Sequence, residues 1–383
     1  MAEDITVLIV DDSALMRNLI GRMIEATPGL AVAEKAMNGV FALQKIPRVN
    51  PDVIVLDLEM PEMNGIEFLK ERKRLGIAIP VVILSSIAAR GAEITMEALA
   101  LGASDFIQKP SGSVSEDIHT VKDTLVGMLL GYGGQYRRSQ GKRVVPTVDF
   151  TAKTLTPLPG GAAQPESVGA ILGVHTGAEA AKPIVPVRSH AKTEIIAIGI
   201  STGGPDALRV VFSNLDKDLK APIVVVQHMP QGFTSEFAKS LDRLCPLEVK
   251  EAEEGDDIVP GRILIAQGNK HLEVERRGVK VTAHLSDAPL VSGHRPSADV
   301  LFASVALVYT NHALGVIMTG MGRDGAAQLG TIYKEGGMTL GQDEGSSVVY
   351  GMPRVAFELG HVQEQVPLGK MARRICDIAK AQR

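Results

Sequence analysis

The feature that most constrains the fold is a repeated one. Short unbroken runs of branched apolar residues alternate along the chain with amphipathic helical patterns. Ile5–Val10, Val53–Leu58 and Val81–Leu84 are runs of this kind, and Leu30–Ala33 and Asp105–Ile107 are weaker ones. Strands that are apolar throughout, rather than alternating, suit a sheet buried on both faces, and therefore a parallel sheet covered by helices. Between these runs, Ala14–Ala26, Val40–Ile46, Ile66–Arg74 and Ala92–Leu101 carry helical periodicity, and Ser115–Leu130 reads as a closing helix. Five such units predict a doubly wound α/β domain with a five-stranded parallel sheet over residues 1–131.

The pattern then dissolves. Tyr132–His190 holds scattered Pro, Gly, Thr and Ala, with basic residues clustered at Arg137, Arg138, Lys142 and Arg143, and is expected to be an interdomain linker. Docking of that linker through segments such as Ala170–Val174 is the alternative. Order resumes at Ile195–Ile200. Further strands are predicted at Ile223–Val226, Ile263–Ala266 and Ala313–Met318, with a hairpin of Leu272–Val274 and Val279–Ala283 around Arg276-Arg277-Gly278. Helices are predicted at Ser297–Val308, Ala326–Glu335 and Val355–Leu359. Residues 191–383 therefore form a second α/β domain, Rossmann-like and mainly parallel with a hairpin.

Composition narrows the function. A formal charge of -4 over 383 residues offers no basic field for nucleic acid. No apolar run reaches the roughly 18 residues of a membrane span. The acidic opening MAEDITVLIVDD lacks the positive segment of a secretory signal, and Cys245 and Cys376 stand in no metal or redox spacing. A cytoplasmic location is the expectation.

Chemistry is expected where strands end, because parallel strands bring their carboxyl ends to one crevice. Asp11 and Asp12 follow the first strand and Asp57 ends the third. Three carboxylates in one cleft repel unless a hard cation offsets them, and Mg²⁺ prefers oxygen ligands. Ser85 closes the fourth strand and Lys109 the fifth, so a hydroxyl and an ammonium share the rim. Such a set can stabilise a transferring phosphoryl group. The plainer reading makes Asp11 and Asp12 helix caps and Lys109 a surface lysine.

The segments VDDSALMR, LDLEMPEMNGIEFL, VVILSS and GASDFIQKP resemble two-component receiver domains over about 130 residues. The resemblance implies Asp57 as phosphoacceptor, Asp11, Asp12 and Asp57 around Mg²⁺, and Ser85 and Lys109 on the phosphoryl oxygens. It also implies a cis peptide before Pro110 and a histidine kinase as phosphodonor.

In the second domain, Gly199-Ile200-Ser201-Thr202-Gly203 fits G-x-S-x-G on a strand-to-helix turn. A motif this short is weak alone, and a phosphate-binding glycine loop is its rival. A serine nucleophile needs a base and an orienting acid. Among nine histidines, His228 alone directly follows a strongly apolar strand, and Asp324 sits beside a glycine-rich turn after Ala313–Met318. The chain order Ser201, His228, Asp324 differs from that of α/β-hydrolases, which excludes that fold but not the chemistry.

The segments IGISTGGPDAL, VVVQHMPQGFT, HRPSADVLFAS, IMTGMGRDGA and GQDEGSSVVYGMP resemble the catalytic domain of chemotaxis protein-glutamate methylesterases. The resemblance implies a Ser201, His228, Asp324 triad, an oxyanion hole of backbone N–H groups near Thr202 and Met321, and chemoreceptor glutamate methyl esters (with glutamine amides) as substrates. It implies no cofactor in this domain. Ile200 stands where alanine is common and Gln267 where proline is frequent, so a narrowed pocket is one expectation for Ile200. His294 and Arg295 are expected either to contact an acidic receptor surface or to cap locally, and Glu251–Asp257 to be a solvated loop. The unphosphorylated first domain is expected to cover the active-site mouth. A non-enzymatic response regulator with a partner-binding output is the alternative, and a DNA-binding output lacks its basic helix.

Overall fold

The computed structural model of the chain describes residues 4–85, 89–109, 118–142 and 184–381. The peptide before Pro110 and the segment Ala170–Val174 lie outside these residues.

The first module follows the predicted alternation. Its elements are β1 (Ile5–Val10), α1 (Ala14–Glu25), β2 (Leu30–Ala36), α2 (Gly39–Val49), β3 (Val53–Asp57), α3 (Gly65–Arg74), β4 (Val81–Ser85), α4 (Ala89–Ala100), β5 (Asp105–Gln108) and α5 (Ile118–Ser139). The five strands pair in parallel in the order β2-β1-β3-β4-β5. Every residue of β3 and β4 is buried, as unbroken apolar runs require.

Helix α5 runs past the predicted boundary, so residues 132–139 are its last two turns and not linker. The Tyr132 hydroxyl donates to the Ser104 carbonyl at 2.9 Å, and the buried Arg137 pairs with Asp52 at 3.4 Å. Two glycines of this helix sit where other segments come close. A Cβ on Gly133 would lie 2.3 Å from Ile5 Cγ2, and one on Gly131 would lie 2.3 Å from the Val348 carbonyl oxygen of the second module. Close approach on both sides outweighs the roughly 1 kcal/mol that each glycine costs a helix.

The second module comprises β6 (Ile195–Ile200), α6 (Gly204–Phe212), β7 (Ile223–Gln227), α7 (Phe233–Asp242), β8 (Glu248–Glu251), β9 (Arg262–Ile265), β10 (His271–Arg277), β11 (Lys280–Ser286), α8 (Ala298–Tyr309), β12 (Ala313–Ile317), α9 (Ala326–Lys334), β13 (Met338–Gln342), α10 (Met352–Glu358), β14 (Glu364–Val366) and α11 (Leu368–Lys380). Seven strands pair in parallel in the order β14-β13-β12-β6-β7-β9-β8, and the hairpin β10-β11 forms a separate antiparallel sheet. Residues 187–191 already pack here, since the Val187 N–H donates to Lys334 and the Ala191 N–H to Asn311. Strands β8, β13 and β14 and helices α7 and α11 were not predicted. The short strands carry too few apolar residues to stand out, being edge or near-edge strands. The Glu251–Asp257 run is a loop exposed at Glu253, Glu254 and Gly255, as expected, and it is anchored: Glu254 accepts from the Leu285 N–H at 2.7 Å, and Asp257 bridges Thr282.

Among the described residues, no helix is long and apolar enough to cross a membrane. Phe302 on α8 is fully buried, with its ring against Gly199 of β6 and Gly325. Phe302→Ala is expected to destabilise the second module by about 3–5 kcal/mol in urea unfolding. A loss under about 1 kcal/mol would show that the site repacks around the cavity.

Candidate functional site

Strands β12, β6 and β7 are neighbours at the centre of the second sheet, and Asp324, Ser201 and His228 follow their carboxyl ends. Backbone bonds knit the three turns together. The Ser201 N–H donates to Thr319 at 3.0 Å and the His228 N–H to Ile200 at 3.1 Å. The Thr319 hydroxyl donates to the Thr202 carbonyl at 2.9 Å, and Gln227 Nε2 reaches the carbonyls of Ser201 at 3.0 Å and His228 at 3.1 Å. Three turns fixed this way leave their side chains little room to drift.

The three predicted residues meet. His228 Nδ1 lies 3.1 Å from Ser201 Oγ, and His228 Nε2 lies 2.8 Å from Asp324 Oδ2. With Asp324 ionised, Nε2 carries the proton it donates. The Nδ1 lone pair then faces the serine hydroxyl, ready to accept its proton.

Asp324 is itself held. It accepts from the Ser297 hydroxyl at 2.6 Å, the Ala298 N–H at 2.6 Å and the Asp299 N–H at 3.3 Å, all at the amino end of α8. Unpaired N–H groups and the helix dipole favour an anion there. Burial works to raise the Asp324 pKa, but the bonds from His228, Ser297 and Ala298 outweigh it and hold the carboxyl below its usual range. The Ser297 N–H in turn donates to His271 Nδ1 at 3.2 Å, and His271 Nε2 donates to the Pro289 carbonyl at 3.1 Å. Sequence reasoning placed Ser297 at a helix start without seeing that its hydroxyl reaches the acid; a serine at a helix start was the available signal.

The backbone N–H groups of Thr202 and Met321 have no hydrogen-bond partner among the described residues. Ile200 points into the core with Leu208 and Val211 and does not narrow a pocket. Arg295 engages Asn269 Oδ1 at 2.8 Å and the carbonyls of Asp287 and Ala288 at 2.8 and 3.0 Å, which makes it a clamp on its own loop. His294 stacks on His228, with ring centroids 3.8 Å apart and planes 13° from parallel.

In the first module, one carboxylate oxygen from each of Asp11, Asp12 and Asp57 lies within 4.8 Å of the others. An all-oxygen set of this size fits a hard divalent cation. Lys109 Nζ sits 2.7 Å from Asp57 and 3.3 Å from Asp11. Burial raises the Asp57 pKa, Lys109 offsets this in part and Asp11 adds to it. Burial opposes the Lys109 charge, but attraction to Asp57 and Asp11 prevails and raises its pKa. Ser85 ends β4 on the same rim and its hydroxyl is 2.5 Å from Thr95 Oγ1.

The modules touch beside the Ser201 turn. Asp105, at the start of β5, accepts from the Gly203 N–H at 2.7 Å, two residues after Ser201. Phe106 stacks on Phe233 with centroids 4.9 Å apart. Burial drives the Asp105 pKa up to about 7, with the Gly203 and Phe106 N–H groups opposing and Asp206 adding. Arg209 pairs with Asp206 at 3.1 Å, and burial lifts Asp206 to about 6 despite Arg209 and Arg72.

The profile of the family described as CheB methylesterase matches residues 196–375, and that of the response regulator receiver domain matches residues 7–120. A protein-glutamate methylesterase/protein-glutamine glutaminase of Treponema denticola is 61% identical, the alignment covering 97% of this chain and 98% of the relative. Its namesake in Treponema pallidum is 53% identical, covering 97% and 96%. The Thermotoga maritima CheB methylesterase catalytic domain is 38% identical, covering 49% of this chain and 98% of that one, with a TM-score of 0.48.

The interface makes a pH prediction. Folded Asp105 keeps its proton up to about pH 7, whereas an unfolded aspartate loses it near 4. The folded state therefore binds more protons between these values, and this group's contribution to stability falls as pH rises from about 4 to 7. Asp105→Asn keeps an acceptor for Gly203 without the charge. It is expected to raise Tm at pH 8 more than at pH 5, and equal shifts would contradict the assignment.

Proposed function

The chain belongs to the CheB methylesterase family, and on that premise we propose that it hydrolyses glutamate methyl esters on chemoreceptors under control of a phosphorylated receiver. The observation that carries the reading is the relay from Ser201 Oγ through His228 to Asp324, at 3.1 and 2.8 Å. Ser201 Oγ attacks the ester carbonyl while His228 Nδ1 takes its proton. The Thr202 and Met321 N–H groups receive the developing oxyanion. Nδ1 then returns the proton to departing methanol, leaving an acyl-enzyme. Water attacks the acyl carbon, gives a proton to Nδ1, and the serine is restored with a free receptor carboxylate. Asp324 stays ionised throughout and holds Nε2–H. A glutamine amide follows the same path with ammonia leaving. A partner-binding output gives no reason for such a relay.

For regulation, Asp57 is the phosphoacceptor and a histidine kinase the donor. Asp11, Asp12 and Asp57 would hold Mg²⁺, which when bound offsets the charge brought in by phosphate. Lys109 and Ser85 would contact the phosphoryl oxygens. The cytoplasm, where such kinases act on receptor tails, is the proposed location. The unphosphorylated receiver restrains the catalytic module through α5 and β5. The contacts that support this are Asp105 on the Gly203 N–H, Gly131 against Val348, and Gly127, whose added Cβ would stand 3.1 Å from Met321 Cε.

Ser201→Ala is expected to lower methanol release from methylated receptor by at least about 10³-fold, and retained release would remove the serine assignment. Acetyl phosphate with Mg²⁺ is expected to raise the wild-type rate and leave Asp57→Asn unchanged. Gly131→Leu, which forces α5 off Val348, is expected to raise the rate without phosphodonor. A normal basal rate in that variant, with α5 shown displaced by hydrogen exchange, would argue against restraint by docking.

A further inference from the structure

The triad explains what holds both nitrogens of His228 but not what holds its plane. Two hydrogen bonds lying in the ring plane resist tilting out of that plane only weakly. Torsion about the Cβ–Cγ bond lifts Nδ1 off the line to Ser201 Oγ, and a misplacement near 1 Å can cost about 10²-fold in rate. One face of the ring is closed by the parallel imidazole of His294, at a centroid distance of 3.8 Å and 13° between planes. From this stacking we infer that His294 is a positioning residue of the esterase, a flat uncharged wall that keeps the base in the plane of its relay. The inference rests on the triad reading and adds a residue to it.

Three observations support the role. First, the wall is anchored. The Val291 and His294 backbones exchange hydrogen bonds of 3.1 and 2.9 Å, and the next residue, Arg295, clamps the loop to Asn269, Asp287 and Ala288. Second, neither ring nitrogen of His294 has a hydrogen-bond partner among the described residues, so no hydrogen bond competes with the stack on His228 for the ring's orientation. Third, the wall stays neutral when the base is charged. Burial lowers the His294 pKa to about 4, with His228 pushing the same way and Asp324 opposing. Two imidazolium rings at stacking distance would repel, whereas a neutral aromatic face turned to a transient cation is attractive. A cation at position 294 would penalise the state in which His228 holds the serine proton.

The stacking role and a hydrogen-bonding role toward substrate make opposite predictions for two variants. Phenylalanine supplies the flat face and no hydrogen bond; asparagine supplies polar atoms and no ring. The test measures kcat and KM for methanol release from methylated receptor by the full chain, with acetyl phosphate and Mg²⁺, for His294→Phe, His294→Asn and His294→Lys. His294→Phe is expected to stay within about threefold of wild type. His294→Asn is expected to lose about 10- to 100-fold in kcat with KM little changed, and His294→Lys to lose more. Hydrolysis of p-nitrophenyl acetate, which makes no receptor contact, is expected to fall in parallel. Activity kept by Asn and lost by Phe, an effect confined to KM, or unaltered kcat in all three would overturn the inference. A Ser201→Ala control separates the two failures: if it retains methanol release, the triad reading itself is wrong.

Discussion

Parallel pairing is the constraint from which both sites follow. When every strand in a sheet runs the same way, every strand delivers its carboxyl end to the same edge, and each loop there can add one side chain to a common crevice. The receiver collects Asp11, Asp57, Ser85 and Lys109 from four strands of one sheet, and the second module collects Asp324, Ser201 and His228 from three adjacent strands. Residues far apart in sequence become neighbours without special folding of any one segment. The cost is polar groups gathered at low dielectric, and each site meets it with paired charges or aligned N–H groups.

In the second module that compensation has a visible hierarchy. The amino end of α8 fixes Asp324 as an anion, Asp324 fixes Nε2–H of His228, and the remaining nitrogen is thereby left as the acceptor for Ser201. His271 supports Ser297 from behind through the Ser297 N–H. His228 presents Nδ1 to Ser201 and Nε2 to Asp324. A serine on one strand-end turn and a histidine on the next are satisfied by this orientation, and the chemistry needs only that one nitrogen be protonated and the other free.

Much of this was legible because it obeys local rules. The unbroken apolar runs announced parallel strands, and the polar residue ending each run marked the sites: Asp57 and Ser85 stand where β3 and β4 stop. What was illegible depends on tertiary approach. Gly131 and Gly133 lie just past the predicted end of the closing helix, and the close approaches that require them, to Val348 and Ile5, come from distant parts of the chain. Asp105 was read only as the first residue of a weak strand; its partner Gly203 is 98 residues away. Ser297 was read as a helix start, yet its hydroxyl serves Asp324 across 27 residues. Ile200 was read for its size, but β6 turns that side chain into the core. The meeting of Ser201, His228 and Asp324 was inferable from strand ends, whereas the contacts through which one module reaches the other were not.

The central claim is that His228, oriented by Asp324, makes Ser201 a nucleophile. Its most direct measurement is reaction of the acetyl phosphate-activated full chain with a fluorophosphonate, followed by peptide mapping by mass spectrometry. Stoichiometric phosphonylation on the peptide carrying Ser201, lost in His228→Gln, is the expected result. Label on another residue, or equal labelling of Ser201 in His228→Gln, would contradict it.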